Sequence, residues 1–119
     1  MKKVMVLGAT PNKRRFAHTC VKSLIRYGYE VVPVGIKEGE INGKKIIPGK
    51  PQVRDIHTVT IYLNDRNQKE YYDYLLSQNP RRIIFNPGAE NPHLKELARK
   101  KDIEVVEDCT LVMLNSGSF

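Results

Sequence analysis

Two kinds of apolar segment alternate along the chain. Short runs rich in Val and Ile carry little polar alternation and predict strands covered on both faces: KVMVL (3–7), EVVPVG (30–35), TVTIYL (58–63), RIIF (82–85) and IEVVE (103–107). Between them the apolar positions take the spacing of a helix that buries one face. Phe16, Ala17, Cys20, Val21, Leu24 and Ile25 predict a helix over about 13–27, followed by Gly28 where a left-handed cap suits glycine. Tyr71, Tyr72, Leu75 and Leu76 predict a second helix over about 66–78, closed by Asn79-Pro80. Asn91 as N-cap and Pro92 in the first turn open a third over about 92–101, with Leu94, Leu97 and Ala98 inward. INGKKIIPGKP (41–51) carries an Asn-Gly turn and a short extended piece. The tail, DCTLVMLNSGSF, holds enough apolar side chains to pack back on the sheet.

Strands alternating with helices give right-handed βαβ units. The expected fold is α/β, a single Rossmann-like doubly wound parallel sheet of about five main strands flanked by helices, in the order 3-2-1-4-5. No internal repeat, linker or low-complexity tract divides the chain, so one domain is expected over residues 1–119.

The 119 residues are enough for a hydrophobic core without staples, and 40% apolar with 28% charged residues exclude a disordered chain. No apolar run is long enough to span a bilayer, and the short one after the basic start MKK predicts a strand rather than a signal peptide. Cys20 and Cys109 lie far apart, with no CxxC and no neighbours at metal-ligand spacing. That disfavours a disulfide scaffold or a zinc site and places the chain in a reducing cytoplasm. The net charge of +7 favours an anionic partner without choosing its kind.

Ligands of open α/β sheets bind beyond the carboxyl ends of the strands, where the strand order reverses. The turn after the first strand, GATPNKRRF (8–16), is the expected place. Gly8 allows backbone angles closed to other residues, Thr10 is placed to cap the helix, and Pro11 to begin it, leaving the amides of Asn12 and Lys13 exposed. Helix starts favour negative charge, yet this one offers Lys13, Arg14 and Arg15. A phosphate would satisfy the free N–H groups and the cations together; the simpler alternative is that the cations point into solvent. After the second strand, where NAD-binding folds carry a ribose-binding carboxylate, stand Gly35, Ile36 and Lys37. Lys37 suits a phosphorylated ribose. GxGxxG is absent, which disfavours tightly bound NAD, although Glu38 keeps that option open.

Taken in order, VLGATPNKRRFAHTCVKSLIRYGYEVVPVGIKEGEINGKKII, VTIYL and IIFNPGAENPHLKELARKKDIEVVEDC resemble small CoA-binding proteins similar to the N-terminal CoA-binding domain of the succinyl-CoA synthetase alpha subunit. The resemblance covers nearly the whole chain. It implies that Gly8, Ala9, Thr10, Asn12, Lys13 and Arg14 surround the CoA pyrophosphate. It places Val34, Gly35, Ile36 and Lys37 beside the adenosine, with Lys37 a phosphate partner. Tyr62, Leu63 and Asn64 match the loop after the third main strand, with Asn64 where relatives usually have proline. Pro87, Gly88, Ala89 and Glu90 match the loop near the pantetheine arm. The glycine common early in the first helix of relatives is replaced by Arg15, Phe16 and Ala17, and bulk there would narrow the pyrophosphate approach. The synthetase's phosphorylated histidine belongs to a second domain that these residues do not include.

His18, His57 and His93 fall on a helix, a loop and a helix start, and no catalytic set or metal site converges on the strand ends. No catalytic residue and no metal are expected. Cys20 belongs to the apolar stripe of the first helix. Cys109 follows the last strand, where relatives often have cysteine; a small buried side chain is weighed there against a partner for a CoA thiol. Tyr71, Tyr72 and Tyr74 suit helix packing. The expectation is a CoA or acyl-CoA binding protein, non-catalytic on its own, acting as sensor, carrier or regulatory module, with a protein partner or a homo-oligomer open and no membrane. Two alternatives remain: a nucleic-acid binder using NKRR and ARKK, with few aromatics interleaved, and an NADP-type dinucleotide-binding protein.

Overall fold

A computed structural model describes residues 2–119. Five strands form one parallel sheet: β1 (Lys3–Leu7), β2 (Glu30–Val34), then, after a two-stranded antiparallel ribbon of β3 (Glu40–Ile41) and β4 (Lys44–Lys45), β5 (Thr58–Ile61), β6 (Arg82–Phe85) and β7 (Glu104–Glu107). The ribbon turns at Asn42 and Gly43, whose φ of 47° and 85° are the left-handed angles that an Asn-Gly hairpin requires.

The alternation hidden in the uniformly buried strands sorts them between two cores. In β1, Val4 and Val6 pack with Cys20, Val21 and Leu24 of α1 (Phe16–Arg26) and with Leu114 of α5 (Thr110–Ser116). Met5 and Leu7 face the other way, toward Tyr74 and Leu75 of α3 (Tyr72–Gln78) and Leu94 and Ala98 of α4 (Pro92–Lys100). Both faces are therefore covered, as the Val- and Ile-rich runs require. Asn91 caps α4 by accepting from the Leu94 amide at 3.0 Å, with Pro92 in the first turn as expected.

The sheet order differs from the expected one. It is β2-β1-β5-β6-β7, so the third main strand lies beside β1 on the far side from β2. The physical reason is in β2 itself. Pro33 has no N–H to give a further ladder, which suits an edge strand. Its carbonyl accepts from Ile47 at 2.9 Å, and Gly35 donates to Ile47 at 3.1 Å, so the segment after the ribbon occupies the free edge. The reversal of strand order then falls between β1 and β5, and the turns after those two strands flank it.

Two helices depart from expectation. The first starts at Phe16, with Arg15 in the N-cap position and making no side-chain cap bond. Thr10 and Pro11 lie in the preceding loop because local polar contacts compete with the helix: Thr10 Oγ1 accepts from the Asn12 amide at 3.2 Å and Asn12 Oδ1 from the Arg14 amide at 3.0 Å. The second begins as a short α2 (Asp65–Gln68) and passes through a 3₁₀ turn (Lys69–Tyr71) before α3. That tighter turn lets Gln68 and Tyr71, three residues apart, both face inward. Gln68 donates to the carbonyls of Leu63 at 2.8 Å and Ala89 at 2.7 Å, which ties α2 to the loop after β6. The tail expected to pack on the sheet does so as α5.

Candidate functional site

The β1 turn is built around two close backbone approaches. Gly8 has φ +100°, and the amides of Gly8 and Ala9 both donate to the Val34 carbonyl, at 2.9 and 3.0 Å. These two amides are thus used inside the protein. At Gly35 the main chain passes so near Ala9 that a Cβ would lie 2.0 Å from the Ala9 oxygen. Glycine there is what allows the ends of β1 and β2 to close together. His18, buried on α1, places Nδ1 3.0 Å from the Thr10 carbonyl and anchors the loop to the helix.

A cavity of about 370 Å³ opens at the carboxyl ends of β1, β2 and β5. It brings together Gly8, Ala9, Thr10 and Asn12 from the first turn, Val34, Gly35, Ile36 and Lys37 from the second, and Tyr62 and Leu63 from the third. Four more residues line it: Arg15, Asn67, Glu70 and Tyr71. Of these, Arg15 belongs to the cation cluster of the first turn. The others became visible only once the sheet order put the β5 turn across the reversal. Phe16 is 74% exposed and is not part of the lining, so the bulk in place of the relatives' glycine turns to solvent.

Other expected site residues stand elsewhere. Lys13 and Arg14 are exposed and outside the lining. Asn64 is the N-cap of α2 and accepts from the Asn67 amide at 2.9 Å. Pro87 and Gly88 are exposed, Ala89 is buried, and Glu90 folds back to accept from the Gly88 amide at 2.9 Å. This loop packs on Gln68 and does not line the cavity.

The charged side chains of the lining are two cations and one carboxylate. Arg15, Lys37 and Glu70 all line the cavity, and the start of α1 has neither a side-chain cap nor a first-turn carboxylate. Behind the cavity wall, the Tyr62 hydroxyl is buried without a hydrogen-bond partner among the described residues, and burial pushes its pKa up, with Cys20 the next contributor. Burial likewise pushes the Cys20 thiol up to about 12, which fits a core side chain rather than a nucleophile. Cys109 is half-buried at the N-cap of α5.

An open parallel sheet with a crevice at its strand reversal places the molecule in the Rossmann-like doubly wound class. Residues 2–115 match the CoA binding domain family, and the chain belongs to that family. No curated protein matches it. A crystal structure of an uncharacterized protein is 48% identical and superposes with a TM-score of 0.97 over all of this chain and 98% of its own. A hypothetical protein from Pyrococcus horikoshii OT3 is 25% identical, with a TM-score of 0.87 over 97% of this chain and 82% of its own. A protein structure from Thermus thermophilus shares the fold at 21% identity, with a TM-score of 0.86 over 99% of this chain and 90% of that one. Among the described residues, no helix is long and apolar enough to cross a membrane.

Proposed function

We propose that the protein binds CoA or acyl-CoA at the strand reversal and acts as a sensor, carrier or regulatory module without chemistry of its own. The observation that carries this reading, beside family membership, is the convergence on one cavity of Lys37 and of Arg15, the N-cap residue of α1. The residues fit such a ligand. The close Gly35–Ala9 approach brings the turns after β1 and β2 together, and cations stand where a diphosphate and a phosphorylated ribose need counter-charge. In this reading Arg15 holds the diphosphate, Ile36 lies against the adenosine, Lys37 binds the ribose phosphate, and Glu70 offers an acceptor to the adenine amine or a ribose hydroxyl. A cavity of about 370 Å³ takes only a nucleotide-sized part of CoA, so the pantetheine arm runs along the surface.

Thermal denaturation with CoA and with dephospho-CoA tests it. A ligand confined to the folded state stabilises by about 2.7 kcal/mol at a hundredfold excess over its dissociation constant. CoA is expected to raise the melting temperature more than dephospho-CoA does. Lys37→Ala is expected to abolish that difference, a preference of roughly three- to tenfold in affinity, while leaving the unliganded melting temperature unchanged. Equal shifts with both ligands in the unmodified protein count against the Lys37 assignment. No shift with either overturns the reading.

A further inference from the structure

A second cavity, of about 410 Å³, lies at the opposite end of the sheet, where β1, β5 and β6 begin. Lys2, Lys3, Arg81 and His57 line it together with Asn79, Ile56 and a single carboxylate, Asp55. Lys3 is partly engaged, donating to the Arg54 carbonyl at 2.7 Å and lying 3.7 Å from Glu30. Among the described residues, Lys2 and Arg81 have no carboxylate within ion-pair distance.

The imidazole is set as a donor by a chain of buried groups behind it. Arg82, which is 7% exposed, donates from Nε to Thr58 Oγ1 at 3.1 Å, and Thr58 Oγ1 lies 2.8 Å from His57 Nδ1. A guanidinium only donates, and among the described residues the fully buried Thr58 hydroxyl has no other acceptor within hydrogen-bond distance, so its hydrogen goes to Nδ1. The proton of the neutral ring is then on Nε2, as an N–H donor. Burial first, then Lys2, Arg82 and Arg81, hold the His57 pKa below its usual value, with Glu104 opposing them. The result is a concave surface with a neutral donor among cations and one carboxylate.

We propose that this cavity is a second ligand site, independent of the first, which takes a small anion carrying one or two phosphate groups between Lys2, Arg81 and the Nε2–H of His57. The competing explanation is that these cations serve only the carbonyl ends of the helices that finish on this side of the sheet.

NMR titration of the His57 ring against pH separates the two, with pyrophosphate or inorganic phosphate present and with chloride at matched ionic strength as reference. The proposal expects either phosphate anion to raise the His57 pKa by about one unit, as an opposite charge within a few ångströms does. Lys2→Ala and Arg81→Ala, both at exposed positions, are each expected to reduce the rise, and Lys37→Ala to leave it intact. No rise beyond the chloride reference, or one equally large in both alanine variants, overturns the proposal. So does a single-stranded oligonucleotide that perturbs His57 at a lower phosphate concentration than pyrophosphate, since an extended polymer is then the occupant.

Discussion

At Gly35 an added methyl group would meet the Ala9 carbonyl oxygen at 2.0 Å, and backbone cannot swing aside as a flexible side chain can. Gly35→Ala therefore has to push apart the ends of β1 and β2, where Gly8 and Ala9 share the Val34 carbonyl. The expected cost is about 1–3 kcal/mol, the usual range for overpacking. Chemical denaturation would measure it, and CoA affinity should fall with stability. An alanine variant as stable as the parent would show that the turn has slack the geometry denies. The need for glycine here was only half legible in the chain. VVPVGIK placed Gly35 at a strand end, but the partner it nearly touches comes from the other turn, and one-dimensional spacing does not show such contacts. The same limit hid Asn67, Glu70 and Tyr71, which join the cavity by tertiary contact alone.

Among the elements, α1 begins at an unusual N-cap. Arg15 has φ −90° and ψ 142°, the extended geometry in which a short carboxylate side chain would reach the first amides. Arg15→Asp should then act in two directions. It should stabilise the helix by about 1 kcal/mol, by capping and by favourable charge at the positive end of the dipole. It should weaken CoA binding by removing a cation from the cavity and adding an anion. A melting curve and a CoA titration on the same sample check both, and a variant that loses stability while keeping full affinity would refute the role given to Arg15. The strands from 3–7 and 82–85 and the capped start of α4 were legible because their signals are local. The start of α1 was not, since Thr10 and Asn12 fold the chain into polar turns that delay the helix to Phe16. Pro33 suits an edge strand and fits the observed sheet order, which replaces the expected 3-2-1-4-5.

For the whole molecule, the charge imbalance has a consequence for stability against pH. The folded state holds His57 below its ordinary pKa, through burial and then the neighbouring Lys2, Arg82 and Arg81. As pH falls, the unfolded chain takes up this proton first, so folding stability is full above the ordinary histidine range and declines as pH drops through 6.5 toward the lower folded value. Melting temperature is expected to fall between about pH 7 and pH 5, and less steeply in His57→Gln. An identical slope in the variant would assign the decline to other groups.

The two cation-lined ends of the sheet make separate claims, and one measurement addresses the central one: amide NMR of the protein titrated with CoA. The largest shifts are expected in residues 8–15, 35–37 and 62–71, the three turns around the strand reversal, with little change at residues 79–82. Shifts concentrated around His57 and Arg81 with the first turn silent, or no shifts at all, would contradict that claim.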